Sequence, residues 1–130
     1  MKPEIQYLVY VSALTGLLWV PYVLERFFSW GIPDTVGYPT QPKPQSPWAE
    51  RLIKAHRNAV ENLVVFAALV LAANAAGVSN SAIEGAAMLY FWSRVVHVLA
   101  YTFAVPWLRT LGFLGGFAAQ AIVACQLLAR

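Results

Sequence analysis

The fold is decided by an uncharged stretch near the start of the chain, Ile5–Leu24, which reads IQYLVYVSALTGLLWVPYVL. As an α-helix, these twenty residues are long enough to cross a hydrocarbon layer of about 30 Å. Tyr7, Tyr10, Trp19 and Tyr22 cluster towards the two ends of the stretch, as aromatic residues do at membrane–water interfaces. The stretch is therefore predicted to be a transmembrane helix.

The composition of the whole chain indicates that lipid is part of its solvent. Of its 130 residues, 59% are hydrophobic and 12% are charged, whereas about 25% charged residues are usual in a soluble domain. A soluble protein of this size could not cover so many apolar side chains in its own core. The net charge of +3 does not indicate a nucleic-acid binder, because the basic residues flank or interrupt apolar runs.

Prolines and glycines divide the rest of the chain into three further helices. Residues 29–47 hold five prolines and two glycines, so this segment is predicted to be a loop without helix or central strand. Pro106 marks another break, before a second uncharged run at Thr110–Ala129. The sequence predicts a single all-α integral membrane domain over residues 1–130, an up-down bundle of four transmembrane helices at about 5–28, 48–76, 82–103 and 107–129.

The basic residues predict which side of the membrane each connection faces. Five of them lie between the first apolar run and the second, and a sixth lies in the connection between the third and fourth helices: Arg26, Lys43, Arg51, Lys54, Arg57 and Arg109. Connections rich in Lys and Arg stay in the cytoplasm. We therefore expect the first and third connections to be cytoplasmic and both termini to lie on the opposite side.

The predicted second helix begins with a polar face next to an apolar run. Four of its residues, spaced three, four and three apart, fall on one helical face: Arg51, Lys54, Asn58 and Glu61. Arg57 lies on the flank of that face. A solvated helix end with snorkelling cations would explain this pattern. The closeness of Asn58 and Glu61 to the apolar run favours buried partners instead, since carboxylates and amides near hydrocarbon are costly.

The predicted third helix offers such partners. Tyr90, Arg94, His97 and Tyr101 are spaced four, three and four apart and form one stripe. Arg94 falls near the middle of the span, so its side chain is expected to point into the bundle. A structural Arg94–Glu61 ion pair is one interpretation. The histidine and two tyrosines on the same stripe favour a polar cavity.

Arg109 and Thr110 lie in the first turn of the predicted fourth helix, just after Pro106. Free N–H groups and the helix dipole favour an anion at such a position, so Arg109 either binds a negative partner or snorkels to the interface. The spacing of the two histidines and one cysteine gives no metal motif. No phosphate loop or paired-carboxylate pattern is present either. The sequence predicts a site for a small anion, with no metal.

Two stretches carry a resemblance to a known family. ERLIKAHRNAVEN at residues 50–62, and RVVHVLAY at residues 94–101 followed by a proline and an arginine, resemble the MAPEG proteins, the membrane-associated proteins in eicosanoid and glutathione metabolism. The lead-in KPQSPWAER at residues 43–51 resembles bacterial members more than the eicosanoid synthases. The resemblance implies a homotrimer in the bacterial inner membrane, with three glutathione sites between neighbouring subunits that face the cytoplasm.

The resemblance also implies roles for individual residues. Those that match glutathione contacts of the family are Lys54, Arg57, Asn58, Glu61, Arg94, His97 and Tyr101, together with Arg26, which would reach across the subunit boundary. Arg109 matches the arginine that approaches the thiol sulfur in catalytic members. Phe113 departs from the pattern, because a tyrosine contact occurs there in some members, and the connection before the fourth helix is shorter. These departures bear on the electrophile more than on glutathione.

The function implied is a membrane-bound glutathione transferase or peroxidase. It would use glutathione as cosubstrate to attack a lipophilic small molecule dissolved in membrane lipid. A non-enzymatic family member that binds a lipid or a partner protein is an alternative. A small four-helix exporter is a further one, although such exporters usually use a carboxylate within a span, and the first helix has none between Ile5 and Leu24.

Overall fold

The computed structural model describes residues 1–129, and within them all regular secondary structure is helical. The helices are α1 (Pro3–Leu17), α2 (Trp19–Trp30), α3 (Ile32–Val36), α4 (Pro47–Ala75), α5 (Ser81–Thr102) and α6 (Pro106–Leu128). The expected all-α class is thus confirmed for this part of the chain.

The first predicted helix is divided and extends further than expected. α1 ends at Leu17 and α2 begins at Trp19. Pro21 explains the break, because a proline has no N–H to donate to the carbonyl four residues earlier and its ring crowds that carbonyl. α2 then continues past Glu25 and Arg26 to Trp30, two residues beyond the predicted end at about residue 28.

The proline-rich segment was predicted to be a loop without helix, but it contains a short helix. α3 forms at its start, with Pro33 in the first turn, where a proline costs no hydrogen bond. Gly31 precedes it with a φ of +79°, a left-handed conformation that glycine adopts without strain. Thr35 Oγ1 donates to the Gly31 carbonyl at 2.7 Å. Residues 37–46 continue without helix or strand.

Local signals set the ends of the three long helices. Pro47 occupies the first turn of α4, and Gly77, at φ +70°, follows its last turn. Asn80 caps α5, because its side-chain oxygen accepts a hydrogen bond of 3.0 Å from the Ile83 N–H. Pro106 begins α6.

The core lies where α1, α4, α5 and α6 meet. Phe66 of α4 and Tyr90 of α5 are fully buried and stack with ring centroids 3.8 Å apart. Val11 of α1 and Val123 of α6 pack in the same cluster. α4 and α5 run antiparallel, since Arg51 contacts Thr102 while Asn58 contacts Arg94.

The outer surfaces of the long helices are apolar. Val64, Leu71, Leu99, Leu114 and Phe117 are all exposed by about half or more. Three segments are long and apolar enough to cross a membrane: Pro3–Trp30, Pro47–Ala75 and Pro106–Leu128. α5 has 22 residues and is a fourth long helix packed against them.

Candidate functional site

Arg94 lies inside the bundle, where α5 faces α4, with a side chain that is 2% exposed. Its Nη2 donates a hydrogen bond of 2.6 Å to Asn58 Oδ1 of α4. The same nitrogen lies 3.3 Å from Nδ1 of His97, one turn further along α5. Because a guanidinium nitrogen can only donate, Nδ1 of His97 is the acceptor, and a neutral His97 carries its ring proton on Nε2.

The positive charge of Arg94 has no carboxylate partner within residues 1–129. Its Nε and Nη1 are buried and make no hydrogen bond. The contacts of Nη2 are to an amide and an imidazole, neither of which carries negative charge. Glu61 is exposed and forms no ion pair with Arg94, so a closed Arg94–Glu61 pair is the wrong interpretation of this chain.

A cavity of about 310 Å³ opens beside this cluster, between α4, α5 and the start of α6. We call it the central cavity, and its lining residues are Asn58, His97, Tyr101, Arg109, Thr110 and Phe113. Arg109 is exposed, and its Cζ lies 5.0 Å from the centroid of the Tyr101 ring, within the range of a cation–π contact. The cavity thus has one cation at its mouth and a second, Arg94, behind Asn58 and His97. This arrangement favours an anion.

Glycine in α6 allows that helix to approach α5 closely enough to shape the cavity. A Cβ atom on Gly112 would lie 2.9 Å from the backbone nitrogen of His97 and 3.0 Å from the carbonyl oxygen of Ser93. Side chains do not approach backbone atoms so closely without a shift of the backbone. Gly112 lies one turn after Arg109, so this contact fixes the position of Arg109 relative to His97.

A second group of cations lies on another side of α4. A groove of about 270 Å³ separates α4 from the end of α2 and the proline-rich segment; we call it the α2–α4 groove. Its lining residues are Trp30, Lys43, Gln45, Glu50, Ile53, Lys54 and Arg57. The guanidinium of Arg26 adjoins the groove, 5.0 Å from the centroid of the Trp30 ring, and donates to Gln45.

Comparison with known proteins decides the family. The family model described as "MAPEG family" matches residues 7–129, nearly the whole chain. The chain belongs to the MAPEG family. The resemblance seen in residues 50–62 and 94–101 is therefore confirmed. No curated protein matches the chain at a significant level.

MAPEG proteins are membrane-embedded, generally bind glutathione and are generally trimeric. They include glutathione transferases and peroxidases as well as other members. Family membership therefore makes glutathione the first ligand to consider for the central cavity. Within the described chain, no three His, Cys, Asp or Glu side chains lie together in a way that could hold a metal ion.

The structure divides the predicted MAPEG site residues between two places. Five of them come together at or directly behind the central cavity: Asn58, Arg94, His97, Tyr101 and Arg109. Lys54 and Arg57 line the α2–α4 groove, with Arg26 at its edge. Glu61 is exposed on α4 and lines neither one.

Tyr90 does not contribute its hydroxyl to the central cavity, although its spacing placed it on the polar stripe. Its side chain is fully buried and stacks against Phe66. It therefore belongs to the core, and the cavity wall on α5 is formed by His97 and Tyr101.

Sequence reasoning missed contacts that hold the site in place, although it had placed Arg51 on the polar face of the second helix. Arg51 Nε donates 2.9 Å to the carbonyl of Thr102 at the end of α5, next to the connection that leads to Arg109. Glu25 is buried and accepts hydrogen bonds from Ser29, Gln45 and Ser46. No spacing rule connects Ser46 or Gln45 with Glu25 in the sequence.

Proposed function

We propose that this MAPEG protein is a membrane-bound, glutathione-dependent transferase or peroxidase. It would activate the thiol of glutathione for attack on a lipophilic electrophile. The observation that supports this most is Arg94, a buried cation with no carboxylate partner beside a cavity that holds a second cation. Burying an ion costs several kcal/mol even after relaxation, and a bound anion would reduce that cost.

The chemistry of glutathione is complementary to these side chains. The tripeptide has two carboxylates, one ammonium and one thiol. We assign its carboxylates to Arg57 and to Lys54 or Arg94, because arginine binds carboxylates in a bidentate way and lysine binds them as a point charge. Glu61 is the acidic candidate for the ammonium. His97 Nε2–H and the Tyr101 hydroxyl supply neutral donors in the central cavity.

Arg109 is the proposed catalytic residue. A cation close to a thiol favours the thiolate, which is the nucleophile. In the transferase reaction, the thiol first loses its proton to solvent. The thiolate then forms a carbon–sulfur bond with the electrophile as the leaving group departs with its electron pair. Phe113, an exposed apolar residue in the lining of the cavity, would contact an electrophile that enters from lipid.

We further propose a homotrimer in the bacterial inner membrane, with Arg26 of one subunit reaching the glutathione of its neighbour. This would bring the α2–α4 groove and a central cavity of adjacent subunits to one ligand. α5 would cross the membrane as a fourth span, since its 22 residues extend about 33 Å. The first and third connections would be cytoplasmic, in agreement with their basic residues.

Titration of the detergent-purified protein with glutathione tests this proposal, with thiolate formation followed by ultraviolet absorbance. We expect saturable binding, and conjugation of a model electrophile in the same preparation. Arg109→Met should lower kcat by about 100-fold while glutathione still binds, because only the thiolate loses its stabilising cation. Lys2→Gln removes one positive charge at the first residues of the chain and should leave turnover unchanged.

The outcomes separate the alternatives. Unchanged turnover in Arg109→Met would exclude the catalytic role of this residue. Binding without a thiolate signal would indicate a non-enzymatic glutathione-binding protein. The absence of binding in the wild type would refute the proposed function altogether.

A further inference from the structure

Arg26 is hydrogen-bonded to Gln45, whose own orientation is fixed by two further hydrogen bonds. Gln45 Oε1 accepts hydrogen bonds from Arg26 Nε at 3.3 Å and from Arg26 Nη2 at 3.0 Å. The amide nitrogen of Gln45 donates to Glu25 Oε2 at 2.8 Å and to the carbonyl of Tyr22 at 2.9 Å. Since both amide hydrogens of Gln45 have acceptors, its oxygen must face Arg26.

Glu25 makes this orientation the only favourable one. It is buried, and its other oxygen, Oε1, accepts from Ser29 Oγ at 2.5 Å and from Ser46 Oγ at 2.8 Å. All of these donors are neutral. A carboxylate has no proton to donate, so a flipped Gln45 amide would place its oxygen against a carboxylate oxygen and its N–H groups against a guanidinium.

These contacts therefore orient the guanidinium of Arg26 without neutralising its positive charge. Its partners are an amide oxygen and the face of Trp30, neither of which carries a negative charge. Lys54 and Arg57 line the adjoining groove and form no ion pair within residues 1–129. An arginine held in one orientation loses less side-chain entropy when it binds an anion than a free arginine would.

We propose that Gln45, fixed by Glu25, is a positioning residue that orients Arg26 for a carboxylate of the ligand. The inference rests on the proposed function, because the ligand that it serves is glutathione bound at the subunit boundary. It adds that Gln45 of the proline-rich segment contributes to glutathione affinity through the orientation of Arg26.

A double-mutant cycle tests the proposal, with glutathione titrated into the full-length protein in detergent. The variants are Gln45→Met, which keeps the side-chain length but removes the amide, Arg26→Met, and the two combined. We expect each of the three to weaken glutathione binding by about tenfold, with no further loss in the double variant. The thiolate absorbance at saturation should be unchanged, because Arg109 is unaffected.

Two further variants exclude a general structural effect. Gln41→Met makes the same substitution in the same segment, where the glutamine is exposed and makes no hydrogen bond in the described structure; it should bind glutathione as the wild type does. Glu25→Gln has the same shape as the wild-type side chain but presents an amide to Gln45. It should weaken binding by less than Gln45→Met does, because the charged acceptor behind Gln45 is lost while the Tyr22 carbonyl still accepts from the Gln45 amide nitrogen.

If the wild type binds glutathione but the effect of Gln45→Met is absent, or is equally large in the Arg26→Met background, the positioning role is refuted and the proposed function stands. If the wild type binds no glutathione, the proposed function fails and this inference fails with it.

Discussion

Replacement of Arg94 by methionine should make the ligand-free protein more stable and prevent glutathione binding. Arg94 is 2% exposed, and two of its three guanidinium nitrogens have no partner. Methionine has a similar length and no charge to desolvate. It would pack beside Gly116, which lies next to Cδ of Arg94 and next to the Tyr90 ring.

The expected change in the free energy of unfolding depends on the contacts that the substitution removes and on the partners that it leaves. The hydrogen bond to Asn58 is worth about 1.5–3 kcal/mol because its donor is charged. Asn58 Oδ1 would keep its other donor, Asn62 Nδ2, at 3.2 Å, and His97 lines an open cavity where water can replace the lost donor. Against this loss stands the burial of an uncompensated ion. Replacing buried ionic groups by apolar ones of similar volume stabilises proteins by about 1–4 kcal/mol with such lost contacts already included, so the net effect of Arg94→Met is expected to be stabilising.

Thermal unfolding in detergent, with and without glutathione, measures both effects. Without ligand, the melting temperature of Arg94→Met should exceed that of the wild type. At about 100 times its Kd, glutathione should stabilise the wild type by about 2.7 kcal/mol and leave Arg94→Met unchanged. Arg109→Met is the matched control, because it loses an exposed guanidinium and should not gain stability. A ligand-free Arg94→Met that melts lower and still responds fully to glutathione would show that Arg94 has a structural role.

Two substitutions test how the site is held together. Gly112→Ala should lower the free energy of unfolding by about 1–3 kcal/mol and reduce kcat, because α6 must move away from the backbone at His97. Gly85→Ala, in open space on α5, should instead be neutral or raise that free energy by about 0.5–1 kcal/mol, and equal effects in chemical denaturation would contradict the close-approach argument. Arg51→Met should remove the bond to the Thr102 carbonyl and lower kcat more than it weakens glutathione binding, since the connection to Arg109 loosens; steady-state kinetics that show only a change in binding would argue against this role.

The helices were predictable where the signal is local in the chain. Pro47, Asn80 and Pro106 mark the starts of α4, α5 and α6 through proline geometry and capping, which need no tertiary context. The break after Leu17 also has a local cause, because Pro21 disturbs the helix one turn before the proline itself. This break was not predicted. α3 was missed because prolines were counted as breakers even in a first turn, where they are compatible with a helix.

The central cavity was predictable in part because it depends on helical faces. The spacing of Arg94 and His97 on one stripe, and the position of Asn58 on another, anticipated their contact. The separation of Lys54 and Arg57 from Asn58 was not anticipated. It arises because the proline-rich segment folds back on α4, held by the hydrogen bond between Gln45 and Glu25. These two residues are twenty apart in the chain, and a contact across an irregular segment leaves no periodic pattern in the sequence.

Glu25 and Arg94 show how a structural charge differs from a binding charge in this protein. Both are buried, yet the Glu25 carboxylate accepts four hydrogen bonds from neutral donors, whereas Arg94 leaves two nitrogens without any partner. A buried carboxylate with that many donors is satisfied by the fold, so it fixes the chain and needs no ligand. A buried guanidinium with empty donors lowers the stability of the free protein, and proteins retain such costs mainly at functional sites. The stability of Arg94→Met without ligand therefore separates the two interpretations before any substrate is known.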